Sequence, residues 1–146
     1  MFLNELKENE AKAFINLVNK FANIDEVFAK EEKELIEDYL EELNLDKNSI
    51  NSMELEDIMK ELKNSSNRTK SIVYFELVGL ALVDGEYGEK EVDFLDEIAV
   101  NLDIRRAKKI AFANYFYNFK EVYDFSVVEA ESKIQLLKEE AELLLS

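Results

Sequence analysis

Apolar residues recur at three- and four-residue steps along most of the chain, and that spacing predicts helices. The first, about Glu8 to Asn23, puts Ala11, Phe14, Ile15, Val18, Phe21 and Ala22 on one face. A second, about Lys30 to Leu43, turns Leu35, Ile36, Tyr39, Leu40 and Leu43 inward and a dense row of acids outward. The polar connection Asn44 to Asn51 carries Leu45 and Ile50 as anchors. Asn51, with Glu54 three residues on, predicts a capping box opening a third helix that buries Leu55, Ile58, Met59 and Leu62. The Asn64-Ser65-Ser66-Asn67 loop then marks the expected boundary between halves, and it is too short for a flexible linker.

From Ile72 onward the fourth helix, about Arg68 to Val83, is apolar on nearly every side, which predicts a central position. Gly79 inside it costs about 1 kcal/mol relative to alanine, so a neighbouring helix should approach closely there. A fifth helix is expected with Gly88 as N-cap and Glu91 at its third position, burying Phe94, Leu95, Ile98, Ala99 and Leu102. Asp103 is expected to cap a sixth, about Ile104 to Lys120. Ser126 and Glu129 form a capping box for a seventh, which should bury Ile134, Leu137, Ala141 and Leu144. The pattern predicts an all-α fold, a compact bundle of about seven helices in one domain, residues 1–146. Its repeat halves fall at about 8–64 and 67–120, with a C-terminal helix at about 127–144.

Composition agrees. Proline is absent and glycine occurs three times, so the punctuation that strands and hairpins need is missing. A net charge of −15 argues against nucleic acid, whose phosphates need clustered cations, and against an anionic membrane surface. It suits a cation ligand, a basic protein partner or simple solubility. The absence of cysteine removes disulfides, thiolate metal sites and thiol nucleophiles, and fits a reducing cytoplasm. Histidine, the commonest general base and metal-binding nitrogen, is also absent. Met1 to Glu10 lacks a secretory pattern and no apolar run is long enough to span a bilayer, so a cytoplasmic chain without stable membrane insertion is expected.

Sliding the chain by 59 residues aligns Phe21–Leu45 with Leu80–Ile104, and apolar residues coincide at nine places. Two amphipathic helices share such a pattern by default; the loop between them is more telling. Asp25 matches Asp84, Phe28 matches Tyr87 and Glu32 matches Glu91, with no gap. A helix, an acidic loop of fixed length and a second helix therefore occur twice, which predicts a duplicated hairpin whose halves need each other to bury their faces.

The loop from Asp84 to Glu91 reads like the second half of an EF-hand, but positions one and three would be Leu80 and Leu82, which cannot ligate. A simpler site for a hard cation, calcium or magnesium, stays open, because the loops offer oxygen and neither imidazole nor thiolate. For Glu32 and Glu91 the competing role is helix capping, since a carboxylate at the third position reaches back to the N-cap amide. Asp25 and Asp84 follow helix C-termini, where a negative charge is unfavourable. Either an Asx-turn or a bound cation would compensate. Gly85 permits a positive φ after Asp84, whereas its counterpart Glu26 does so only at a cost, which predicts a distorted first loop.

The residues Ala81-Leu82-Val83-Asp84-Gly85-Glu86 with Glu91, and Ala22-Asn23-Ile24-Asp25 with Glu32, resemble the tellurite-resistance TerB-like family over roughly residues 8–104. The resemblance implies an all-helical, non-enzymatic domain of bacterial stress or defence systems. It also implies that the paired acids Asp25, Glu32, Asp84 and Glu91 are a metal-binding feature. Glu26 departs from the family's glycine, and tellurite itself is implied by no residue.

Two further clusters invite a protein partner, whose identity the chain does not give. Arg105, Arg106, Lys108 and Lys109 crowd a helix start, which the dipole disfavours. The acidic faces of the second and fifth helices could compensate them, or they could dock an acidic partner. Phe112, Tyr115, Phe116, Tyr117, Phe119, Tyr123 and Phe125 exceed what one helix face can bury, so this 112–125 segment is the alternative function: a protein–protein interaction module without metal. Carboxylates are the only candidate catalytic groups, and no pair is singled out, so no enzyme is expected.

Overall fold

The computed structural model describes residues 2–24, 31–46, 48, 50–83, 88–121 and 138–145, with residues 31–35, 82–83 and 117–121 described by backbone alone. The described chain is all-α, and no strand occurs in it. A 3-10 turn, Leu3–Glu5, precedes α1 (Glu8–Ala22), α2 (Glu31–Glu42), α3 (Leu55–Lys63), α4 (Asn67–Val83), α5 (Glu89–Asn101) and α6 (Arg106–Glu121). Residues 138–145 are helical as well. Two compact units, Met1–Val73 and Tyr74–Ser146, divide inside α4.

In the first unit α1 packs against both α2 and α3. All six positions of its expected inner face are buried, and so are Ala13, Asn16 and Leu17, so burial wraps most of the helix. The start of α1 is fixed by Glu10, whose Oε1 accepts the Lys7 backbone N–H at 2.9 Å and whose Oε2 accepts the Ser65 hydroxyl at 2.5 Å. This reach-back from the third helical position satisfies an otherwise orphaned amide. Ser66 opens α4 in a related way, its Oγ accepting the Thr69 N–H at 3.1 Å. Phe2 and Leu3 are buried too, although no periodicity marks so short a stretch.

Two expected caps are corrected. Asn51 does not open α3; the N-cap is Glu54, without a side-chain cap bond. The reason is Asn16 of α1, whose amide bonds the Asn51 carbonyl and the Met53 N–H, holding residues 51–53 out of the helix and so delaying it by one turn. Asp103 does not cap α6, which begins at Arg106 with the Arg105 carbonyl accepting the Lys109 N–H. With φ at 57°, Asp103 instead lies in the left-handed region just past α5.

That turn recurs. Asn44, 59 residues earlier, has φ at 54° just past α2. After α2, Leu45 N–H reaches the Leu40 carbonyl at 2.9 Å and Asn44 N–H the Glu41 carbonyl at 3.1 Å. After α5, Ile104 N–H reaches Ala99 at 2.9 Å and Asp103 N–H reaches Val100 at 3.3 Å. Both are Schellman turns, which satisfy the last carbonyls of a helix and favour residues that tolerate a positive φ. The starts of α1 and α4, at Glu8 and Asn67, keep the same offset, and so do the ends of α2 and α5, at Glu42 and Asn101.

In the second unit α4 is buried from Tyr74 to Ala81 except at Glu76, as expected of a helix with no polar face. Phe75 stacks against Phe112, Tyr115 and Phe116 of α6, with ring centroids 5.3, 5.1 and 4.7 Å away. At Gly79 a side chain of α6 comes close, because a Cβ there would stand 2.6 Å from Phe116 Cζ. The close approach that this glycine foreshadowed is therefore made by a phenylalanine ring. Helix α5 begins with Gly88 as N-cap and buries Leu95, Ile98 and Ala99 along the expected stripe.

Candidate functional site

Of the four predicted ligands, Asp25 and Asp84 lie outside the described residues, and Glu32 is placed in α2 by its backbone alone. Glu91 is described in full. It sits at the third position of α5 and is only 7% exposed, an unusual degree of burial for a carboxylate. A Cβ on Gly88 would meet Glu91 Oε2, the far end of a flexible side chain, so the carboxylate lies close over this N-cap, whose φ is an ordinary −82°. The bare N-cap lets the carboxylate fold back over the positive end of α5. Among the described residues no group of three or more Asp, Glu, His or Cys side chains could hold a metal ion.

The basic cluster at the start of α6 is compensated in part, as Lys109 Nζ lies 2.7 Å from Asp96 Oδ1 on α5. Phe112, Tyr115 and Phe116 are core residues, while Tyr117, Phe119, Tyr123 and Phe125 fall outside the side chains described. Burial raises the Tyr115 hydroxyl to about 12, helped by the negative charges of Glu140 and Glu76. Among the described side chains of α5 and α6, Val100 and Ile110 are the exposed large apolar ones.

The first unit also holds a cleft of about 560 Å³ that periodicity did not reveal. One wall is polar: Asn16, Asn19, Lys20 and Asn23 descend from α1 and its last turn at steps of three and four, so they share a face. The other walls are Ile36, Glu37 and Leu40 of α2 and Ile50, Ser52 and Met53 of the connection before α3, with Ile15 also lining the space. Asn16 is buried and fully used. Its Nδ2 donates to the Asn51 carbonyl at 3.1 Å and the Lys12 carbonyl at 3.0 Å, and its Oδ1 accepts the Met53 N–H at 2.9 Å. The readable signal was the polar stripe itself, set on a helix whose other sides are apolar.

No helix among the described residues is long and apolar enough to cross a membrane. Compared with known proteins, the chain matches no family model, no curated protein and no solved structure.

Proposed function

We propose that the chain is a non-enzymatic, TerB-like domain of a bacterial stress or defence system, cytoplasmic, built from a duplicated helix–acidic loop–helix unit. In this reading Asp25, Glu32, Asp84 and Glu91 take a divalent cation, calcium or magnesium. The observation that carries it is the pair of Schellman turns 59 residues apart, at Asn44 and Asp103, with matching hydrogen bonds. Equivalent backbone at the far ends of α2 and α5 is what copying one hairpin would leave behind. It supports equivalence of the two acidic loops, which stand at the near ends of the same helices. An all-oxygen donor set suits a hard ion, which calcium satisfies with carboxylates at roughly 2.3–2.6 Å.

Glu91 favours a second reading, an interaction module without metal that uses the 112–125 segment. Its carboxylate lies over the start of its own helix, where the positive end of the helix dipole accounts for it without a metal. Titration calorimetry and thermal unfolding with calcium and with magnesium, on the natural chain and on Asp84→Asn, separate the two. Heat and stabilisation that disappear in Asp84→Asn support the cation. Their absence from both proteins at millimolar ion leaves the interaction module.

A further inference from the structure

Asn16 shows what the cleft of the first unit does with a peptide backbone. One side-chain amide both donates to and accepts from a non-helical stretch of chain, at Asn51 and Met53. That is the pairing one peptide group offers another, and it is independent of side-chain identity. The same stripe continues toward the end of α1 with Asn19 and Asn23, which are exposed and line the cleft; their backbones pair, Asn23 N–H to the Asn19 carbonyl, while their side-chain amides have no hydrogen-bond partner among the described residues. From Asn16 to Asn23 is seven residues, about 10 Å along a helix, or roughly three residues of extended chain. Leu40 and Ile50 supply an apolar floor for alternate side chains.

Charge gives the occupant its sign. Glu37 lines the cleft, and Glu41 follows one turn later on the same face of α2, with Asp38 exposed beside them. Among the described residues Lys20 is the one cation of the lining and Glu37 its one acid, while the chain as a whole has a net charge of −15. We propose that this cleft binds a short, extended, cationic segment of a partner protein, held through its backbone by the Asn19 and Asn23 amides. Its alternate apolar side chains rest on Leu40 and Ile50, and its lysines or arginines face Glu37. The proposal needs neither a bound ion nor a common origin of the two halves.

The test is selection of a displayed random hexapeptide library on the full chain, then affinity of the enriched peptides by fluorescence anisotropy. Enriched sequences should alternate apolar residues with lysine or arginine. Their affinity should fall about tenfold or more in Asn19→Ala/Asn23→Ala, which removes two hydrogen bonds from exposed side chains. N-methylation of the peptide's amides should weaken binding as well, because the backbone is what is read. The proposal is overturned by no enrichment, by acidic sequences, or by apolar residues at helical spacing. Binding unchanged in the double variant, with its unfolding midpoint preserved, overturns it equally.

Discussion

At matching positions of α1 and α4 the two units fill the same stretch of helix in opposite ways. Where α1 carries Asn16, Asn19 and Lys20, α4 carries Phe75, Val78 and Gly79, each 59 residues later. In the second unit α6 starts three residues after the Schellman turn and lays Phe112, Tyr115 and Phe116 on that stretch. In the first unit residues 51–53 are not helical, α3 starts only at Leu55, and a cleft is left. A shared frame of helix ends thus coexists with two kinds of filling. The polar stripe is no requirement of that frame, since aromatic packing serves there equally well. This is why the amides of the first unit call for a reason of their own.

Moving one unit's choice into the other gives the largest effect. Phe75 is 1% exposed and touches three rings, so Phe75→Asn removes a large buried side chain and strands an amide among aromatics. The loss should be about 5 kcal/mol, from cavity formation and an unpaired polar group together. Urea denaturation measures it. A cost below about 1 kcal/mol would mean the rings are not packed as described. Asn16→Ala is the converse and should cost about 2 kcal/mol, because the Asn51 carbonyl and the Met53 amide lose their partner. Faster amide exchange at Met53 is the local readout.

The comparison also shows where sequence speaks plainly. Helix positions and inner faces were legible because burial imposes its period on apolar residues, as Phe14 and Val18 of α1 and Ile98 of α5 do. Gly79 was legible because an unfavourable residue inside a helix needs a steric cause, and Phe116 supplies it. Asn51 and Asp103 misled for one reason: both are good cap formers, and both were claimed by long-range or backward contacts. Asn51 belongs to Asn16, 35 residues away, and Asp103 to the turn behind it. The cleft was hidden because a polar stripe reads as a solvent-facing side until tertiary structure encloses it. Among the predicted ligands only Glu91 has a described side chain, and its third-position geometry was readable from Gly88.

Titration offers a finer contrast. Tyr115 is buried in the second unit and its hydroxyl is raised to about 12, chiefly by burial. A raised value means that its stabilising contribution is complete below about 10, the ordinary tyrosine value, and is lost as pH rises toward 12. The unfolded chain deprotonates first and is drawn down. The total should stay below about 2 kcal/mol, since solvent screens Glu140 and Glu76. Alkaline unfolding of Tyr115→Phe should lack this component.

The two turns test their equivalence directly. Asn44→Ala and Asp103→Ala should each cost about 1 kcal/mol, because alanine tolerates a positive φ poorly. What matters is that the costs agree. Unequal losses would show that the turns merely look alike, and would weaken the case for a copied hairpin.

The smallest effect lies at the start of α4. Arg68 is placed in the first helical turn, where the dipole disfavours a cation, and the first unit answers with Glu5. Arg68 Nε donates to Glu5 Oε1 at 2.7 Å and Nη2 donates to Oε2 at 3.0 Å, a two-pronged pair, while the guanidinium lies 5.9 Å from the Phe2 ring centroid. The hydrogen bond to Arg68 holds the Glu5 carboxyl below its ordinary value. A lowered value contributes stability at pH above that ordinary value and loses it as pH falls through the folded one, opposite to Tyr115. Both side chains are about a third exposed, so the contribution should be below about 1 kcal/mol and should shrink in salt. Urea midpoints of the natural chain and Glu5→Gln should therefore differ slightly at pH 7 and converge in acid. A difference that persists unchanged in acid would assign the effect to packing around Phe2, because only the charged pair responds to protonation.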